Sequence, residues 1–124
     1  MEQKFYICEH CGKVITVVKE SGVPVKCCGE NMRELIPGTT DAASEKHIPV
    51  IAIEGNTVTV TVGSVEHPMT EEHYIEWISL ETKEGCQIKT LKPSSKPVAV
   101  FALSDSDEAV SSHAYCNLHS LWKK

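Results

Sequence analysis

The sequence predicts an all-β protein in two parts, a small metal knuckle followed by a small antiparallel β-sandwich. Three observations carry this reading. Short β-branched runs recur with turn residues between them, and Thr57-Val58-Thr59-Val60-Thr61-Val62 alternates polar and apolar without a break. Four of the six cysteines fall within residues 1–36, a stretch with little apolar mass. No long amphipathic helix, internal repeat or low-complexity tract interrupts the pattern.

Taken in order, Lys13-Val14-Ile15-Thr16-Val17-Val18 reads as a strand, being β-branched and bounded by Gly12 and Ser21-Gly22. A second extended piece, Val23-Pro24-Val25-Lys26, leads into Cys27. Two such strands bury too little surface to stand alone, so residues 1–36 require a staple. Residues 37–44, from Pro37-Gly38 to Ser44, are small and polar and read as a linker. Residues 45–124 make the sandwich. Glu45-Lys46-His47 opens its first strand, Ile48–Ile53, which ends at the two-residue hairpin signal Gly55-Asn56. The Thr57–Val62 strand follows, valine on one face and threonine on the other, and is therefore half buried. Tyr74–Leu80, Gln87–Leu91 and Val98–Leu103 supply three more strands, and a last extended segment runs from Ala109 to Tyr115.

Composition narrows the function. Seventeen acidic residues against twelve basic ones give a net charge of −5, which excludes a broad nucleic-acid-binding face. No apolar run approaches the roughly 18 to 20 residues that span a bilayer. The first residues lack the apolar core of a signal peptide, so a cytoplasmic protein is expected. In that compartment six cysteines mixed with six histidines point to metal sites before disulfides.

Cys8-Glu9-His10-Cys11 is a Cys-x-x-Cys knuckle, and the adjacent pair Cys27-Cys28 follows. Four thiolates at this spacing suit a tetrahedral cage for iron or zinc, and a purely structural zinc knuckle is the alternative. Neighbouring cysteines point apart on an extended chain, so Cys27 and Cys28 share a metal only through a strained turn. His10 is read as solvent-facing. A second set consists of His47, His67, His73, Cys116 and His119. Pro68 holds His67 extended, and Cys116 and His119, three apart, must lie on a turn to share a metal. Four imidazoles and one thiolate exceed the usual four ligands of structural zinc. Around Fe²⁺ they leave a net positive charge and one free octahedral position.

The four-cysteine module with its adjacent pair, Glu45-Lys46-His47, His67-Pro68-Met69, Glu72-His73-Tyr74-Ile75-Glu76-Trp77 and Tyr115-Cys116-Asn117-Leu118-His119 together resemble the desulfoferrodoxins. These are two-iron, two-domain superoxide reductases. The resemblance covers nearly the whole chain. It implies a desulforedoxin-like (rubredoxin-like) Fe(Cys)₄ domain and an immunoglobulin-like sandwich, the neelaredoxin-like reductase domain, carrying Fe(His)₄(Cys). It implies His47, His67, His73 and His119 as equatorial ligands and Cys116 as the axial one. The implied reaction joins superoxide, one electron and two protons into hydrogen peroxide. The resemblance also implies a rubredoxin as electron donor and a homodimer, with the Fe(Cys)₄ centre as electron relay or structural remnant and zinc as a possible substitute there.

Lys46, beside His47, is placed to attract an anionic substrate and order a proton-donating water. By the resemblance, Glu45 fills the sixth position of the oxidised iron. A solvated charged pair is the alternative for both. Cys86 is expected to be a half-buried structural thiol, and His113 to face away from Cys116. Trp77, Phe101 and Trp122 are expected in the core or site wall, and Met69 packs beside the site. Two other functions remain open: a zinc-stapled binding module, and a superoxide dismutase cycling the same iron both ways.

Overall fold

The computed structural model describes residues 2–124. The chain divides into two compact units, one ending at Ile36 and the other running Pro37–Lys124.

In the first unit β1 (Phe5–Ile7) pairs antiparallel with β2 (Val14–Thr16). A separate hairpin joins β3 (Lys26–Cys27) to β4 (Glu30–Asn31), and β5 (Arg33–Glu34) adds to the free side of β1. The β2 strand is shorter than the expected Lys13–Val18, because Val18 is almost fully exposed and has nothing to pack on. Among the described residues, the buried apolar side chains of this unit are Phe5, Cys8 and Leu35. Each contributes at most about 3 kcal/mol of burial, whereas ordering a backbone costs about 1 kcal/mol per residue. Burial loses that comparison by a wide margin, so the unit depends on a cross-link.

The second unit opens with a helical turn, α1 (Ser44–His47), closed by the Ile48 N–H donating to the Ser44 carbonyl at 2.9 Å. Glu45-Lys46-His47 therefore does not begin a strand as expected. The strand starts only at Pro49, whose ring fixes an extended backbone. Residues 37–44 belong to this unit, where the Gly38 N–H donates to the Leu121 carbonyl at 2.9 Å.

Two antiparallel sheets follow. The first contains β6 (Pro49–Glu54), β7 (Thr57–Val62) and β10 (Val98–Ala102), with β7 central. The second contains β8 (Ile75–Thr82), β9 (Gly85–Thr90), β11 (Ala109–Cys116) and β12 (Ser120–Lys123), in the order β12-β11-β8-β9. Alternation decides which side chains face inward. Val58, Val60 and Val62 of β7 join Ala99 and Phe101 of β10, and these pack with Ile75, Ile78, Leu80, Ala114 and Cys116. The predicted Gly55-Asn56 turn links β6 to β7, with Gly55 at φ +59°. β12 was not foreseen. It is a short return strand created by a three-residue turn after Cys116, with Ser120 in the left-handed region at φ +64°.

On one flank, β9 side chains cap the outer edge of β10. Gln87 Nε2 donates to the Ala102 carbonyl at 3.1 Å, and Lys89 Nζ donates to the Val100 carbonyl. Cys86 lies on this same edge strand and is exposed, not half buried as expected, because β9 pairs only with β8 and no layer covers its outer face. Among the described residues no helix is long and apolar enough to cross a membrane.

Gly63, just after β7, is where the helical turn rests on the sandwich. A Cβ there would lie 2.5 Å from the Glu45 carbonyl oxygen and 2.9 Å from the Lys46 carbonyl carbon. Gly63→Ala should therefore destabilise the second unit by about 1–3 kcal/mol and displace His47. Thermal unfolding together with metal content of the variant checks both effects.

Candidate metal centres

Each cysteine pair of the first unit is shaped by its turn. Between β1 and β2, the Cys8 carbonyl accepts the Gly12 N–H at 2.8 Å and the Cys8 N–H donates to the Lys13 carbonyl at 2.9 Å. Cys27 ends β3, and the next two residues, Cys28 (φ +53°) and Gly29 (φ +80°), are both left-handed. That is a type I′ two-residue hairpin, with cysteine where glycine or asparagine is usual. Holding Cys28 left-handed costs about 1 kcal/mol, and it brings its sulfur to 3.9 Å from that of Cys27. The strained turn expected for an adjacent pair is thus a specific hairpin.

Cys11 and Cys27 sulfurs lie 3.7 Å apart, and all four sulfurs fall within 4.8 Å of one another. A tetrahedral metal with bonds of about 2.3 Å holds its sulfurs about 3.8 Å apart. The thiols are strongly unequal. The Cys8 thiol is pushed down to about 6, first by the Cys11 backbone N–H and, against some opposing burial, by that of His10. Cys28 is pushed up to about 12, first by the Cys8 sulfur and then by that of Cys11. Four thiols this close cannot all ionise without a cation among them. Cys8 is buried, whereas Cys11 and Cys28 are exposed. His10 points outward and pairs with Glu30 at 3.2 Å.

In the second unit, His47 comes from the end of α1, His67 and His73 from the connection between β7 and β8, and Cys116 and His119 from the β11–β12 turn. The His47 Nδ1 lies 2.7 Å from the Ala43 carbonyl, and the His67 Nδ1 lies 2.7 Å from the Pro68 carbonyl. A carbonyl can only accept, so both Nδ1 atoms carry the proton and donate. Both Nε2 atoms are then left with lone pairs, and these face each other at 3.1 Å. The His119 Nδ1 is 3.2 Å from the same His47 Nε2 and 3.8 Å from the Cys116 sulfur. The His73 Nε2 is buried with no hydrogen-bond partner. Two bonds of about 2.1 Å at right angles would set neighbouring nitrogens about 3.0 Å apart, which is the spacing found.

The rings form a cycle. Successive centroids of His47, His67, His73 and His119 are 4.6, 4.6, 5.1 and, back to His47, 4.9 Å apart, each pair edge to face. The His47–His73 diagonal, 6.5 Å, exceeds every side, as in a square. The donor atoms of His47, His67, His73 and Cys116 lie within 4.8 Å of one another. His47, His67 and Cys116 are buried, while His73 and His119 are half buried, so solvent reaches the cluster at those two rings.

Burial lowers the pKa of His47, His67 and His73, with the nearby imidazoles adding to it and Lys46 contributing at His47 and His73. Burial raises the Cys116 thiol, opposed by the backbone N–H groups of Leu118 and His119. Burial therefore favours the neutral form of His47, His67 and His73, the form metal ligation requires. Glu45 and Lys46 are exposed on the turn that carries His47. Trp122 is the site wall: it stacks on His47 at 4.9 Å, and its Nε1–H donates to the His119 carbonyl at 2.9 Å. Met69 is not among the donors and accepts the Ile75 N–H at 3.4 Å. His113 is buried on β11, away from the cluster, and Trp77 stacks on Tyr115.

Comparison with known proteins agrees with this picture. A family model described as desulfoferrodoxin matches residues 39–124. The desulfoferrodoxin of Nitratidesulfovibrio vulgaris is 45% identical over 122 residues, covering 98% of this chain and 95% of that protein. The crystal structure of the superoxide reductase from Treponema pallidum superposes with a TM-score of 0.86 at 40% identity, covering 100% of this chain and 99% of that one. The one-iron superoxide reductase of Giardia intestinalis matches 64% of this chain and 95% of its own, with a TM-score of 0.53 and 38% identity.

Metal-free protein should lose stability as the pH falls. His67 is pushed down to about 4 by burial, below its ordinary 6.5, so the unfolded chain binds the extra proton first. The contribution is complete above about 6.5 and declines toward about 4. Melting temperatures across that window should fall, and His67→Gln should flatten the slope.

Proposed function

The chain belongs to the desulfoferrodoxin family, and on that footing we propose that it is a superoxide reductase, converting superoxide to hydrogen peroxide with one electron and two protons. The observation that carries the reading is the square of four imidazoles with the Cys116 sulfur beside it, in which two unprotonated nitrogens face each other at 3.1 Å. Such a contact is repulsive unless a cation lies between. Iron held by these donors would supply the electron.

The remaining work falls to the chain. His47, His67, His73, His119 and Cys116 would hold the iron. Kept from water, the Cys116 sulfur would place its negative charge against the bound metal. The Ala43 and Pro68 carbonyls hold the His47 and His67 rings in one tautomer and one orientation. The Lys46 ammonium adds a positive charge at the rim, drawing in the anionic substrate and ordering a water that delivers protons. Glu45 places a carboxylate on the same turn, where it would cover the site once the metal is oxidised.

The Cys8, Cys11, Cys27 and Cys28 set would hold iron and with it could relay electrons, with zinc as an alternative occupant that would leave only the structural role. A rubredoxin-like protein supplies the electrons, and the thin first unit favours a homodimer. A cytoplasmic location and a part in detoxification under oxidative stress complete the proposal.

Pre-reduced protein given a limiting amount of superoxide should yield one peroxide per superoxide and no dioxygen. Half that peroxide with dioxygen evolved would make the protein a dismutase, and no acceleration over spontaneous decay would overturn the catalytic reading. In stopped-flow work, Lys46→Ala should slow association roughly tenfold at low salt and flatten its ionic-strength dependence. Unchanged association kinetics would remove Lys46 from the mechanism.

A further inference from the structure

Asn117 lies between two donors, Cys116 and His119, and its side chain reaches across to a third. Its Oδ1 accepts the Tyr74 N–H at 3.0 Å, and its Nδ2 donates to the Glu72 carbonyl at 3.0 Å. The amide thus brackets His73, taking the backbone groups on either side of it. The Asn117 N–H also donates to the Tyr74 carbonyl at 3.2 Å. These three bonds join the β11–β12 turn to the chain entering β8, at a point where the ladder between β8 and β11 shifts register around Tyr115 and Cys116. A register shift interrupts the regular pairing that would otherwise set the spacing of the two segments. The side-chain amide replaces it.

We propose that Asn117 is a positioning residue for the metal centre, setting the distance between the Cys116/His119 pair and His73 through these bonds. The inference rests on the metal reading of the His/Cys set. Asparagine is suited to this because one planar group offers an acceptor and a donor side by side, matching a C=O and an N–H two residues apart. The His73 Nε2 is buried with no hydrogen-bond partner, as suits an atom kept for a metal. Thr70 takes the backbone groups of His73 itself, and Asn117 takes those on either side of it, tying that segment to the Cys116/His119 turn.

The test uses the full chain, stripped of metal and titrated anaerobically with Co²⁺ against a competing chelator. Four-sulfur and His/Cys cobalt absorb differently, so the first unit serves as an internal reference. Asn117→Ala should weaken Co²⁺ binding at the His/Cys site about ten- to a hundredfold, shift its sulfur-to-metal absorption and leave the four-cysteine site unchanged. Asn117→Asp keeps an acceptor for Tyr74, loses the donor to Glu72 and adds a negative charge that by itself would tighten cation binding. Weaker binding in this variant therefore reports position and supports the proposal. Wild-type affinity and absorption in Asn117→Ala would overturn it while leaving the metal reading intact. So would a loss of binding explained entirely by unfolding of the metal-free variant in a parallel melt. If the wild-type His/Cys set takes up no Co²⁺, the metal reading and the proposal fall together.

Discussion

Two imidazole nitrogens that both carry lone pairs cannot rest 3.1 Å apart unless positive charge lies between them. Much of the second unit is arranged to impose that contact. The Ala43 and Pro68 carbonyls take the Nδ1 protons and so dictate which nitrogen turns inward. Burial keeps the rings neutral, and Trp122 closes the back of His47. Each of these costs stability in the absence of a cation, because a buried lone pair without a donor is an unmet hydrogen bond. Binding free energy and folding free energy are therefore coupled in this sandwich, as they are in the small unit with its four sulfurs.

The sandwich contributes rigidity, while the donors come from its connections. A helical turn, the β7–β8 segment and the β11–β12 turn each bring one or two candidate donors, and the core fixes where those connections start and stop. Gly63 shows how tight the arrangement is. The backbone of the Glu45-Lys46 turn approaches so closely that no side chain fits, so the position of His47 is read from the end of β7 almost by contact. Cys116 belongs to the core and to the site at once, which ties the sulfur to the best-packed part of the unit.

Much of this was legible in the residues. Strict alternation placed β7, and the Gly55-Asn56 pair placed its hairpin, because both signals are local. The clustering of cysteines and histidines pointed to two metal sites, since few other reasons bring so many donors into a short acidic chain. What stayed hidden depends on long-range partners. Glu45-Lys46-His47 carries no strong helical signal and turns helical where it meets Gly63. β12 follows from a left-handed Ser120, a conformation that serine rarely announces. Cys86 reads as a half-buried thiol by residue type, yet its strand lies at an edge and leaves it exposed. Asn117 stands in plain view between Cys116 and His119, but its partners are more than forty positions away.

The uneven exposure of the four sulfurs in the first unit has a consequence for how long that unit lasts. Cys8 is sheltered, but Cys11 and Cys28 sit at the surface, and the proposed product of the second unit is an oxidant of thiolates. Oxidation of either exposed sulfur removes one of four ligands from a unit whose apolar core consists of Phe5, Cys8 and Leu35. The small unit is then a fuse: its folded lifetime is set by the peroxide it meets, while the sandwich, whose metal-site sulfur Cys116 is walled in and whose exposed Cys86 lies outside the site, outlasts it.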